Sequence, residues 1–321
     1  MTSVMQSVIQ DICRNQLNTG IRRYRQISDG NSKETWRVDT EAEGTVYIHV
    51  GDDRLRDEAA VLQWVDEHTP LPVPELSAVG SARNNTFFVT REATGHRLTE
   101  HITRVTQSVQ HDLVYSIGAF LAHLHNSIEF EGNGPVTRTS NGLQVTKPTD
   151  GREYFRTRFK FNRQRLPTAF DATLPTETTS LPWSAIPDNS KGRLYHWDFR
   201  PGNMLYEDGS ISAILDWGDP QASRPALGFA KVVYISLDWF GLSHFLPHLR
   251  SGYESVRPIH WDQTEYLLAR IVAIVQSAVD ANGAITRPGH PQVSETEALV
   301  FHQEQISNTM ISLYEQIENN Q

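Results

Sequence analysis

Residues Leu194–Trp217 read LYHWDFRPGNMLYEDGSISAILDW. Asp198 and Asn203 stand five residues apart, and Asp216 follows thirteen residues later. A Pro201-Gly202 pair separates the first two. Between the strand-like stretches NMLY and ISAILDW lies EDGS, whose Asp-Gly pair signals a tight hairpin. Half-buried carboxylates and amides need partners. A hairpin that carries Asn on one strand and Asp at the end of the other presents two hard oxygens to one ion. Magnesium takes such ligands together with phosphate and water. An Asp on the preceding loop can orient an acceptor hydroxyl and take its proton, and phosphoryl transfer asks a protein for little more than this positioning and charge neutralisation. The pattern is His-x-Asp-x-x-x-x-Asn at His196, Asp198 and Asn203, followed by a later Asp in the order loop, strand, turn, strand. The partner it calls for is magnesium carrying a nucleoside triphosphate.

The rest of the chain fits an ordinary packed protein. Its 321 residues are 38% hydrophobic and exceed the usual size of one core, which suggests a bilobal unit or two domains. The net charge of −9 argues against a nucleic-acid groove. Cys13 is the single cysteine, so no internal disulfide forms. The start MTSVMQSVIQDICRN lacks a charged-then-apolar signal, and the run IVAIVQSAV is too short to span a bilayer. The expectation is a cytoplasmic protein that engages neither membrane nor nucleic acid.

Residues 24–50 alternate β-branched or aromatic residues with polar ones in YRQIS, ETWRVDT and TVYIHV, with Gly, Asn and Asp at the breaks. DDRLRDEAAVLQWVDEH then places Leu55, Ala59, Leu62 and Val65 at helical spacing, and PLPVPEL ends that helix. TFFVTRE reads as one more short strand. Residues 1–92 therefore form a small lobe of strands plus one main helix, and residues 93–321 a larger, mostly helical lobe. VYSIGAFLAHLH and the stretches near 262–280 and 294–318 carry its helical patterns.

YHWDFRPGNML resembles the catalytic loop, and AILDWGD the metal-binding strand end, of the aminoglycoside phosphotransferase family. Those small-molecule kinases share the protein-kinase-like fold. DGNSKETWRV is similar to the family's nucleotide hairpin, RDEAAVLQWV to its first-lobe helix, FFVTREATGHRL to its hinge and IGAFLAHLH to its first large-lobe helix, so the likeness runs over about residues 25–235. The resemblance implies an α+β, bilobal fold with a β-rich N-terminal nucleotide lobe and a helical C-terminal catalytic lobe. It implies Asp198 as catalytic base and Asn203 and Asp216 as magnesium ligands. Arg200 is expected near the migrating phosphoryl group, and Ser32 at the tip of the nucleotide hairpin. Residues from Val89 through Arg91 to Glu92 are expected along the adenine edge. The implied cofactors are ATP or GTP with magnesium. The implied partner is the hydroxyl of a small molecule: an amino sugar, an amino alcohol or a related metabolite.

Three departures stand out. The family carries a basic residue on the third strand, paired with the helix Glu; Glu58 is present, but the aligned position is His49. We therefore expect His49 to act as a shorter, pH-sensitive cation. Ser223-Arg224-Pro225 and Gly228-Phe229 replace the family's Gly-Asp-Pro and Asp-Leu, which removes an Asp that braces the catalytic loop. These departures keep a second reading open, a weak or inactive kinase-like protein that binds nucleotide or a partner. Glu131, Asp150, Asp238, Glu254, Asp262 and Glu265 are equal candidates for attracting a cationic acceptor. A protein kinase is disfavoured, because Arg200-Pro201-Gly202 follows the base and Gly30 is the sole glycine of the nucleotide turn.

Overall fold

A computed structural model describes residues 2–27, 33–174, 180–188 and 191–319. Helix α1 (Thr2–Asn15) leads into strands β1 (Ile21–Ile27), β2 (Glu34–Thr40) and β3 (Thr45–Gly51), then α2 (Arg54–His68), β4 (Leu76–Ala82) and β5 (Asn85–Arg91). The five strands form one antiparallel sheet in the order β1-β2-β3-β5-β4. Side chains alternate across a pleated sheet, so its two faces have different occupants. Val46, Ile48, Val50, Phe87 and Val89 pack against Val8, Ile9, Ile12 and Cys13 of α1. Phe88 packs against Leu55 and Ala59 of α2 on the other face. The small lobe thus has a second helix beyond the one read from periodicity.

The chain then passes through β6 (His96–Arg97) into α3 (Gln107–Ser127), β7 (Glu129–Phe130), β8 (Gly134–Thr139), β9 (Gly142–Val145) and α4 (Gly151–Arg163). Next come β10 (Gly192–Tyr195), β11 (Met204–Glu207), β12 (Ser210–Ile214), β13 (Gln221–Ser223), α5 (Pro225–Val232), α6 (Leu246–Glu254), α7 (Gln263–Ser277) and α8 (Glu295–Asn319). Among the described residues, a second sheet runs β7-β10-β13-β8-β9 and a third β12-β11-β6. The β11–β12 pair is the hairpin expected from EDGS, turning on Asp208 at φ +47° and Gly209 at φ +88°. The fold is a β-rich N-terminal part joined to a helical C-terminal part.

Two apolar clusters hold the larger part together. One joins α3 and α6 to the hairpin through residues such as Ile117, Leu121, Met204, Ile214 and Leu249. The other packs α4, α5, α7 and α8 through Phe155, Phe159, Leu227, Ile271 and Leu313. The run beginning at Ile271 lies buried inside α7. Among the described residues no helix is long and apolar enough to cross a membrane.

Candidate active site

The loop after β10 is tied down from both sides. His196 Nδ1 accepts the Asp198 backbone N–H at 3.0 Å, and Nε2 lies 3.1 Å from the Leu215 carbonyl. These partners require the neutral tautomer with hydrogen on Nε2. Burial pushes the His196 pKa down, in keeping with that form, against an opposing pull from Asp198. The imidazole therefore fastens the loop to the segment that ends in Asp216. Ser236 Oγ adds a hydrogen bond to the Phe199 carbonyl at 3.1 Å.

Asp198 presents its two oxygens differently. Oδ2 accepts from Arg200 Nε at 2.7 Å and from Asn203 Nδ2 at 3.1 Å, which leaves Oδ1 for an incoming group. Burial alone would raise the Asp198 pKa, but the charges of Arg200 and Lys231 outweigh it and hold the carboxyl below its ordinary value. A carboxylate at neutral pH follows. Arg200, expected beside a phosphoryl group, engages the Asp198 carboxylate itself.

Asn203 and Asp216 are coupled through the backbone, since the Leu215 N–H donates to the Asn203 carbonyl at 2.7 Å. Asn203 Nδ2 also reaches the Asp198 carbonyl at 3.0 Å. With its nitrogen committed to Asp198, the Asn203 side chain has Oδ1 left without a hydrogen bond among the described residues. Asp216 adopts φ +62°, uncommon for a residue with a side chain, and its carboxylate is 54% exposed. Two hard oxygens of this kind suit magnesium. Among the described residues no cluster of three or more His, Cys, Asp and Glu could hold a metal, so the remaining ligands would be phosphate and water.

The cation facing these groups is Lys33, which the sequence reading passed over. Its Nζ pairs with Glu58 Oε1 and stands 3.1 Å from Asp216 Oδ1. Burial works against the charge on Lys33, but Glu58 and Asp216 outweigh it and raise its pKa. Lys33 enters from the residue before β2 rather than from β3. A usable signal existed: it is the only lysine ahead of Lys147 and directly follows the nucleotide turn.

His49 is therefore corrected. Its ring stacks on Phe88 with centroids 4.2 Å apart, and Nδ1 lies 3.1 Å from Thr35 Oγ1. Burial, with the nearby Lys33 charge, pushes its pKa well below the ordinary value. Such a histidine is neutral and cannot serve as the cation. The adenine-edge expectation also shifts. Val89 is fully buried against the α1 side of a central strand, paired to Ile48 and Ala78. The Arg91 N–H donates to the Glu75 carbonyl, and its guanidinium pairs with Glu43 and Glu75. The Glu92 N–H donates to Thr45. The Val89 side chain and the Arg91 and Glu92 N–H groups are thus engaged within the small sheet. Ser32 lies outside the described residues.

The departures near α5 have their own packing. Arg224 forms a two-point ion pair with buried Glu265, with Nη2 at 2.6 Å from Oε2. A Cβ at Gly228 would lie 2.7 Å from His125 Nε2. His125 is held by the Tyr253 hydroxyl at 2.9 Å. The histidine thus occupies the space of the absent side chain, while the loop after β10 is held by His196 and Ser236.

Beside Asp198 and Arg200 opens a cavity of about 760 Å³, walled by α4, α5, α7 and the segment leading into α8. Arg158, Trp197, Lys231 and Gln276 are part of its lining. None of the six acidic candidates lines it. Asp238 pairs with Arg270 at 2.7 Å, Glu265 with Arg224, Glu131 with Lys191 at 3.3 Å and Glu254 with Arg250 at 3.6 Å. Asp150 and Asp262 cap α4 and α7.

Comparison with known proteins places this geometry in context. The model of the phosphotransferase enzyme family (APH) matches residues 23–267. A thermostable mutant of aminoglycoside phosphotransferase APH(4)-Ia, solved as a ternary complex with AMP-PNP and hygromycin B, is similar in structure. Its TM-score is 0.64 at 16% identity, over 95% of this chain and 98% of that one. Aminoglycoside phosphotransferase APH(2'')-Ib, solved with ADP bound, gives 0.58 at 14% identity over 94% and 98%. A Thermobifida fusca protein assigned as a fructosamine-3-kinase gives 0.61 at 14% identity over 93% and 98%. No curated protein matched the chain in sequence.

Proposed function

The chain belongs to the phosphotransferase enzyme family, and we propose that it moves the γ-phosphoryl group of ATP to a hydroxyl of a small molecule with Asp198 as base. The observation that carries this reading is the arrangement at Asp198: one oxygen is held by Arg200 and Asn203 and the other is left for an acceptor hydroxyl. In the step, the acceptor oxygen bonds to the γ-phosphorus and the bond from that phosphorus to the β–γ bridging oxygen breaks. The hydroxyl proton goes to Asp198, and ADP leaves.

Asn203 and Asp216 would hold magnesium, which when bound neutralises charge on the phosphates. Lys33, steadied by Glu58, would meet the phosphates from the small lobe. A fixed cation there is worth most in a partly desolvated site, where charge-assisted bonds are strong. The alternative of a weak or inactive kinase-like protein that binds nucleotide or a partner drew on His49, Arg224 and Gly228. Lys33 beside Glu58 and Asp216 answers the first of these departures and leaves the other two to the turnover measurement below.

Thermal unfolding of the wild type and Asp216→Ala, with ATP or GTP and with or without magnesium, tests the nucleotide site. A ligand that binds the folded state must raise the apparent Tm. We expect a magnesium-dependent rise in the wild type that Asp216→Ala lacks, and the better nucleotide gives the larger rise. Asp198→Asn should keep the rise but lose turnover by about 10²–10⁴-fold. Equal turnover in Asp198→Asn and wild type would overturn the assignment of the base.

A further inference from the structure

Three cations converge on the cavity beside Asp198, and none of them forms an ion pair with a carboxylate among the described residues. Lys231, from α5, is only 4% exposed. Among the described residues it forms no ion pair or hydrogen bond, and its Nζ lies 4.5 Å from the centre of the Trp197 ring and 5.9 Å from that of Tyr195. Arg158, from α4, lies over the same Trp197 ring at 4.9 Å and donates to the neutral amide oxygen of Gln221 at 2.5 Å. Arg165 donates to the Asp280 carbonyl and, at 3.4 Å, to Asn162 Oδ1.

The cavity's carboxylates do not balance these charges. Asp198 is held by Arg200. Asp280 Oδ1 accepts the backbone N–H groups of Asn282 and Ala284. Glu295 faces Arg287 at 3.9 Å. Asp219 acts toward Arg54 and Glu58, on the nucleotide side. The wall also carries the buried Ser277 hydroxyl, which has no hydrogen-bond partner among the described residues.

An ammonium buried without a counter-ion is costly, and the cost is removed by pairing. Burial is the main force pulling the Lys231 pKa down to about 7, with Arg158 and Arg200 adding to it and Asp198 opposing. A cationic acceptor would add a like charge to this wall, whereas an anion would be drawn to it. The volume suits a small metabolite.

We infer that the acceptor carries, besides its hydroxyl, an oxyanion (a carboxylate or a phosphate monoester) bound by Lys231, Arg158 and Arg165, so that its class is hydroxy acids and sugar phosphates rather than amino sugars. This inference rests on the phosphotransferase reading. The product keeps the acceptor's oxyanion and gains a phosphate ester, with bonds made and broken as in the step above.

The test uses the full chain saturated with magnesium–ADP, so that phosphate probes cannot report on the nucleotide site. D-gluconate, D-glucose 6-phosphate, sorbitol and D-glucosamine are compared at equal concentration by thermal shift. ADP release from magnesium–ATP is then measured with each. We expect gluconate or glucose 6-phosphate to stabilise the protein and to give at least tenfold higher kcat/KM than sorbitol or glucosamine. Which of the two succeeds separates carboxylate from phosphate. Lys231→Met and Arg158→Leu should each weaken binding of that anion at least tenfold, and two variants guard against one that fails to fold. Equal or stronger stabilisation by sorbitol or glucosamine overturns the inference, as does no shift with either anion. In both cases a persisting magnesium–ADP shift leaves the phosphotransferase reading standing; if that shift is itself missing, the nucleotide reading beneath the inference falls.

Discussion

Lys33 and His49 show how much a single side chain's surroundings decide. The two lie near enough for the Lys33 charge to depress the His49 pKa. Only Lys33 reaches Glu58 and Asp216. Lys33→Ala should lower kcat/KM for magnesium–ATP by about 10²-fold, the scale of losing one preorganised charge-stabilising group. His49→Ala should leave nucleotide affinity within a few-fold between pH 6 and 8, while costing about 1–3 kcal/mol of stability through lost stacking on Phe88. Steady-state kinetics and denaturant unfolding of both variants check the contrast. Lys231 gives a pH signature. Its ordinary pKa is 10.5 and its folded value about 7. Between these values the unfolded chain binds the extra proton, so this residue's contribution makes stability rise with pH across the window, and its penalty is full below about 7. Lys231→Met removes the penalty. Without ligand it should be more stable than the wild type at pH 6 by about 1–4 kcal/mol, and the gap should shrink as pH climbs toward 10.

At the scale of elements, close backbone approaches set how the helices of the larger part pack. Helices α3 and α6 cross so closely that a Cβ on Gly118 would fall 2.0 Å from the Leu249 carbonyl oxygen, and one on Gly252 the same distance from that of Tyr115. Backbone cannot yield as a side-chain tip can. Gly118→Ala should therefore separate the helices and cost about 3 kcal/mol, seen as a lower urea midpoint. At Gly228 the obstacle is the His125 ring instead. Elements were unevenly legible in the sequence. The β11–β12 hairpin announced itself through Asp208-Gly209, and α2, α3, α7 and α8 through helical spacing of apolar residues. Strand β4, LSAVGSA, has few large apolar residues to alternate, and α1 gave no sign that it would cover a sheet. The segment 133–192 was opaque because β8 and α4 owe their places to partners far along the chain, namely β13 and α7.

Across the whole molecule, the net charge of −9 and the cation-walled cavity point in opposite directions. A total charge states nothing about where charges gather, since Arg158 of α4 and Lys231 of α5 meet only over the Trp197 ring, and Arg165 joins them only in lining the same cavity. The same holds between the two parts of the molecule: Lys33 bridges to Asp216 across 183 residues, and Asp57 of α2 accepts from Thr137 and the Arg138 N–H at 2.8 and 2.7 Å. The sequence by itself determined the kinase-like loop and hairpin, because Asp198, Asn203 and Asp216 lie within one short stretch whose turn chemistry is local. It also determined the division into a strand-rich beginning and a helical remainder, because periodicity is local too. Only the tertiary structure decided which cation meets Glu58, which face of β5 carries Val89, and what charge lines the cavity beside Asp198. Each of these depends on residues brought together from distant segments, where burial and pairing choose among side chains that the sequence leaves equivalent.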